Sequence, residues 1–186
     1  LLDYFKKRMR FTKDDNVIAG GRYHNFKDFI NFPNIGPLNL ENKMKQPVPA
    51  MHLYYHQSIL KEVKKRDHIL HYPYQSFRYF IDMLREAAID PKVTEIQITL
   101  YRVAKKSMVV NSLINAARNG KKVVVVIELQ ARFDEEANIK WSNRMQEVGI
   151  KVIHGVPGLK VHSKLLLITR KERQKYEHYA YIGTGN

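Results

Sequence analysis

From about residue 51 onward the hydrophobic positions fall into two alternating periods. Phe77, Phe80, Ile81, Leu84 and Ala88 recur at helical spacing, with Ser76 placed to cap that helix. Val93 to Tyr101 reads as a strand, and Ser107 then caps a helix with Val110, Leu113, Ile114 and Ala117 inward. Asn119-Gly120 ends it. Val123 to Ile127 is an unbroken β-branched run, the pattern of a strand buried on both faces. Asp134 is placed to cap a third helix with Glu135 and Glu136 at its positive end. Ala137, Trp141, Met145 and Val148 line the apolar side of that helix, and Gly149 ends it. Ile150 to Ile153 is the next predicted strand, and Leu165–Thr169 with Tyr179–Ile182 reads as an antiparallel pair joined by the charged stretch 170–178. A helix near 55–65 and a short strand near 67–71 precede this series. Strand and helix alternate with short loops, which implies an α/β domain with a parallel or mixed sheet.

Residues 1 to about 50 have a different texture. Gly20-Gly21, Asn31-Phe32-Pro33-Asn34, Gly36-Pro37 and Pro47-Val48-Pro49 interrupt any period. Helical pieces are predicted near 1–10 and 25–31, and the Pro-rich stretch 33–49 reads as a connection between domains. The chain opens without an initiator Met and closes on a Gly-rich turn directly after a strand-like run. Both ends are therefore expected to be cuts within a longer protein. The predicted division is an irregular stretch plus linker over 1–50, and a regular α/β domain over 51–186.

Composition narrows the function classes. No cysteine is present, which excludes disulfides and thiolate metal sites. No apolar run approaches the ~20 residues of a membrane-spanning helix. Lys and Arg number 32 against 18 Asp and Glu, a net charge of +14. Such a field concentrates anions, whether nucleic acid, anionic lipid, nucleotide or another polyphosphate. A merely solvated basic surface would carry the same charge.

In sheets of this class ligands sit beyond the carboxyl ends of the strands. Three segments there are polar and cationic: Thr99–Arg102, Glu128–Phe133 and Gly158–Lys164. Arg102 and Arg132 would converge on one crevice, and a guanidinium is a planar fork suited to phosphate oxygens. Asp134 is a rival partner for Arg132. His162 and Lys164 are two apart, which on a strand puts them on one face. A neutral imidazole can attack phosphorus and hold the phosphoryl group covalently, while Lys164 stabilises its oxygens. Gly183-Thr184-Gly185-Asn186 follows the next strand.

A His-x-Lys strand followed by a strand ending in a Gly-rich turn with Asn resembles the phospholipase D-like phosphotransfer fold. The longer segments Thr99–Arg102, Glu128–Asn138, Gly158–Lys164 and Ile182–Asn186 are similar, in order and spacing, to the bacterial polyphosphate kinase family. Arg22–Phe26 and Phe32–Asn34 resemble the end of the domain preceding it, more faintly. The resemblance implies an α/β, phospholipase D-like mixed sheet flanked by helices, truncated at its C-terminal end and preceded by an irregular tail of another domain. It implies reversible transfer of the ATP terminal phosphate to inorganic polyphosphate through a phosphohistidine. His162 matches the phosphorylated histidine, and Arg102, Arg132, Lys164 and Asn186 match phosphate and ATP contacts. The two arginines match positions beside the magnesium–phosphate region. With no free lone pair they suit phosphate, leaving Mg2+ to phosphate oxygens and water. The implied partners are ATP, ADP and polyphosphate, with no specific nucleic acid. A cytoplasmic homo-oligomer is expected in the complete protein, with peripheral membrane association left open.

The phospholipase D pattern proper places an acid five residues after the lysine, where Thr169 stands. That disfavours lipid or nucleic-acid chemistry of the usual kind. The alternatives are another phospholipase D-like phosphotransferase, such as a phospholipid synthase or nuclease, and a non-catalytic polyanion or nucleic-acid binder. The family builds its site with a second domain, so this stretch alone is expected to hold half a site and to be inactive.

Overall fold

The computed structural model describes residues 1–17, 33, 35–37, 42–43, 45–53, 57–128 and 135–184. The predicted helix near 25–31, the Arg22–Phe26 segment, Arg132, Asp134 and Asn186 lie outside them. The chain divides into two compact units, Leu1–Met44 and Lys45–Asn186. In the first, α1 (Leu2–Arg8) buries none of its residues, and Asp15 accepts from both the backbone and the hydroxyl of Thr12.

The second unit contains α2 (Ile59–Lys65), α3 (Arg78–Ile89), β1 (Val93–Leu100), α4 (Met108–Arg118), β2 (Lys122–Ile127), α5 (Glu135–Glu147), β3 (Lys151–His154), β4 (Lys164–Glu172) and β5 (Lys175–Gly183). The five strands form one mixed sheet in the order β3-β2-β1-β4-β5. β1, β2 and β3 are parallel, β4 runs antiparallel to β1, and β5 antiparallel to β4. The expected α/β class and mixed sheet are therefore present.

Register sorts side chains to two faces. Val125, Ile98, Leu166 and Tyr181 stand in line across four strands, as do Val123, Ile96, Ile168 and Tyr179 in the next row. The core gathers on this face, where Phe80, Leu84, Ala87 and Ala88 of α3 join Val110, Leu113 and Ile114 of α4. The other face is more open: Leu165 is 43% and Ile182 80% exposed. Val124 and Val126 are accordingly only half-buried, so β2 is not the doubly buried strand its β-branched run predicts.

Helix ends follow local chemistry. The Ser107 hydroxyl accepts from Val110 N–H as predicted. Gly120 follows the helix at φ +77°, with its N–H on Ala117 O and Lys121 N–H on Ala116 O. Ser76 acts one position early: α3 starts at Arg78, whose N–H donates to the Ser76 hydroxyl at 3.2 Å.

Two other expectations are corrected. Residues 67–71 form no strand: no neighbouring strand supplies a ladder, Ile69 is 94% exposed, and Pro73 follows. The charged stretch 170–178 is mostly strand, with its turn at Arg173-Gln174. Its charges sit in a sheet because they are paired: Arg170 with Asp90 and Glu172, and Glu177 with Lys64. Among the described residues no helix is long and apolar enough to cross a membrane.

Candidate active site

β1 and β2 are parallel, so both end on the same side of the sheet, at Leu100 and Ile127. β4 is antiparallel to β1, so it begins on that side, at Lys164. Topology thus brings together the segment after β1 with Tyr101 and Arg102, the segment after β2 with Glu128, and the loop 158–163 with His162.

Polar groups, Asn138 and Glu128 among them buried, tie these segments to one another. Asn138, on the first turns of α5, is fully buried. Its Nδ2 donates to Tyr101 O (2.9 Å) and Glu128 O (2.7 Å), and its Oδ1 accepts from Val103 N–H at 3.2 Å. Glu128 N–H continues the ladder to Leu100 O at 3.0 Å. The Glu128 side chain is also buried, and its Oε2 accepts from Val161 N–H at 3.0 Å. Thr99 Oγ1 donates to Ser163 O at 2.6 Å and accepts from Leu165 N–H at 2.9 Å.

Above this layer lies a cationic cluster around one ring. The His162 imidazole meets Tyr101 edge to face, with centroids 4.9 Å apart at 73°. Lys164 Nζ lies 5.1 Å from the Tyr101 centroid, and Arg102 Cζ and Lys160 Nζ each 5.7 Å. These distances are in the range of cation–π attraction. Lys164 Nζ also donates to His162 O at 2.6 Å. Among the described residues no carboxylate forms an ion pair with Lys160 or Lys164. His162 and Arg102 are exposed and Lys164 half-buried. The arrangement offers a ring nitrogen to solvent within a field that attracts anions.

A cleft of about 920 Å³ opens beside the cluster, with Tyr72, Phe77, Phe80 and Tyr181 on its walls and Arg102 and Lys164 at its rim. The Tyr72 hydroxyl is buried without a hydrogen-bond partner, and burial pushes its ionisation up to about 12. Gly183 borders the cleft. A Cβ there would fall 2.6 Å from the Tyr181 hydroxyl oxygen, so the missing side chain makes room for that phenol.

Of the predicted site residues, His162, Lys164 and Arg102 come together. Arg132 and Asn186 lie outside the described residues. One geometric expectation changes: β4 begins at Lys164, so His162 stands in the loop before the strand and not on its face. Thr169 lies away from the cluster, its hydroxyl 3.2 Å from His178 Nδ1 across the hairpin.

Sequence reasoning gave no role to Tyr101, Lys160, Thr99, Glu128 or Asn138. Asn138 had a signal: it shares the apolar spacing of Trp141 and Met145, so a polar side chain was bound for the core. Such a residue must find partners there.

Magnesium finds no cage here. Among the described residues no group of three or more His, Asp or Glu could hold a metal. Around the His162 ring, the cluster's cations Arg102, Lys160 and Lys164 carry no free lone pair for a metal. These residues fit the oxygens of a phosphate chain, not a resident ion.

Comparison with known proteins supplies the context for this geometry. Residues 58–186 match the family described as polyphosphate kinase C-terminal domain 1. The chain is 52% identical over 186 residues to the polyphosphate kinase of Vibrio vulnificus strain YJ016, covering all of this chain and 27% of that protein. It is 49% identical over 191 residues to the polyphosphate kinase of Escherichia coli K12, again covering all of the chain and 27% of the relative. The chain thus spans about a quarter of the length of these curated relatives. The crystal structure of polyphosphate kinase from Porphyromonas gingivalis superposes with a TM-score of 0.72 at 38% identity, over 97% of this chain and 30% of that one. A family match running from α2 to the final residue, on a fold shared with a solved member, makes this chain a member of the polyphosphate kinase family that carries its C-terminal domain 1.

Proposed function

We propose that, within the complete protein, this domain moves the terminal phosphate of ATP reversibly onto inorganic polyphosphate, with His162 as the carrier. A neutral His162 ring nitrogen attacks the γ-phosphorus. The new N–P bond forms as the bond to the β–γ bridging oxygen breaks, and ADP leaves with that oxygen. A terminal oxygen of polyphosphate then attacks the same phosphorus, the N–P bond breaks, and the imidazole returns to its starting form. Arg102 and Lys164 neutralise charge on the transferring oxygens, with Arg132 and Asn186 assigned the same task by family resemblance. Magnesium enters as part of the nucleotide substrate, bound to phosphate oxygens and water. Positioning and charge neutralisation carry the chemistry, as in other phosphoryl transfers.

The observation that carries this reading is the exposed His162 imidazole packed on a ring that also holds Arg102, Lys160 and Lys164 within 5.7 Å. A net charge of +14 suits a polyanionic product. The test uses the complete enzyme and γ-labelled ATP. Wild type should form an acid-labile phosphoenzyme, and His162→Ala should form none. Label retained at the wild-type level in that variant overturns the assignment. A protein that binds polyphosphate with steep salt dependence yet never acquires label is a binder and not a transferase.

A further inference from the structure

The geometry points to Glu128 and Asn138 as positioning residues that set the nucleophile and a phosphate-binding arginine at a fixed separation, an inference that rests on the phosphohistidine reading above. His162 stands on a loop and is exposed, and the edge contact of its ring on Tyr101 does not by itself fix the height of its backbone over the sheet. Its backbone neighbours are fixed instead. On one side, Val161 is buried and its N–H is held by the Glu128 carboxylate. On the other, Ser163 O and Leu165 N–H are both held by the Thr99 hydroxyl. His162 is suspended between these two anchors.

Arg102 is bracketed in the same way. The residue before it gives its carbonyl, and the residue after it gives its N–H, to the one Asn138 amide. The second Nδ2 hydrogen of Asn138 goes to Glu128 O. One continuous chain of buried and part-buried hydrogen bonds therefore runs from both flanks of Arg102, through Asn138 and Glu128, to the residue before His162. Glu128 and Asn138 are 6% and 0% exposed, so neither is a substrate contact. In-line attack needs reacting atoms within roughly 3–3.5 Å, and a misplacement of about 1 Å can slow a reaction about 100-fold. A carboxylate that grips Val161 N–H before substrate arrives supplies that order in advance.

The acceptor matters more than its charge, which makes the idea separable from simple loss of fold. Glu128→Gln keeps an oxygen at the same reach. Glu128→Ala removes it, and Glu128→Asp withdraws it by one methylene. In the complete enzyme, single-turnover labelling from γ-labelled ATP should slow about 100-fold in Glu128→Ala and Glu128→Asp, with KM for ATP changed less than about threefold. Glu128→Gln should stay within about threefold of wild type. Labelling by either the Ala or the Asp variant within that margin overturns the inference, and the Asp variant decides if the Ala variant does not fold. A second readout needs no transfer chemistry: the rate at which diethyl pyrocarbonate modifies His162 without nucleotide, followed by mass spectrometry. It should change in the Ala and Asp variants and not in the Gln variant, and an unchanged rate throughout overturns positioning. If wild type itself takes no label, the phosphohistidine reading fails and the modification rates alone decide the role of Glu128.

Discussion

The two ends of one sheet handle charge in opposite ways. At the end where β1 begins, cations meet acids: Arg170 Nε lies 2.7 Å from Asp90, Lys92 Nζ 3.1 Å from Glu172, and Lys122 Nζ 2.9 Å from Glu95. At the end where β1 stops, Lys160 and Lys164 gather with Arg102 on the Tyr101 ring, and the nearby acid, Glu128, points inward to a backbone N–H. The first end uses charge to close its own structure. The second turns positive charge outward, toward the phosphate chain proposed as substrate. Net charge alone does not separate the two, because it sums over both.

Exchanging one lysine at each end tests that division. Lys164→Gln should slow phosphoenzyme formation in the complete enzyme by about 100- to 1,000-fold, the loss typical of one donor aimed at developing charge. Stability should change by no more than about 0.5 kcal/mol, as expected of a surface substitution. Lys92→Gln should leave the labelling rate unaltered and lower stability by about 0–1 kcal/mol, the worth of an exposed ion pair. Equal slowing by both variants would mean that only the summed field acts, and the contrast between the ends would fall.

A smaller effect is expected at Gly183, which pairs with Lys164 at the site end. Gly183→Ala puts a methyl against the Tyr181 hydroxyl, and that ring is already packed on Phe80 with centroids 4.5 Å apart. Overpacking of this kind destabilises by about 1–3 kcal/mol, measurable by denaturant unfolding. An unchanged midpoint would show that Tyr181 turns aside freely, leaving the glycine for phosphate approach alone.

These residues also show where the sequence is legible. The helices α3 and α4 and the three parallel strands follow from hydrophobic period, with the Ser107 cap on α4, because local preference and burial agree there. The extent of β4 and β5 does not, since Arg170, Glu172 and Glu177 look like loop until their partners, Asp90 and Lys64, are brought from far along the chain. His162, Lys164 and Arg102 are readable as chemistry because each is a reactive or cationic type at a strand end. Tyr101 and Asn138 act through contacts with segments far away in the chain, and no spacing along a single element encodes that. Glu128 is harder still, because the contact that ties it to the His162 loop is a backbone N–H that any residue would carry.

The smallest effect belongs to the acid-paired end and is a dependence on pH. Burial alone would raise the Asp90 carboxyl. The Arg170 guanidinium, the Lys92 N–H, and the charges of Arg170 and Lys121 outweigh that, so the group lies below its ordinary value. A carboxyl depressed in the folded state contributes stability that is complete above the unfolded value of about 3.9. That contribution is lost as pH falls through the lower folded value. Asp90→Asn should therefore be less stable than wild type by about 1 kcal/mol near neutrality, and the gap should narrow only below about pH 4. Labelling from ATP, referred to folded enzyme, should be the same in both. A gap that persists unchanged to pH 2 would show that Asp90 acts by packing and not by charge. A labelling defect in Asp90→Asn would show that charge at one end of the sheet is felt at the other, which the separation of the two clusters argues against.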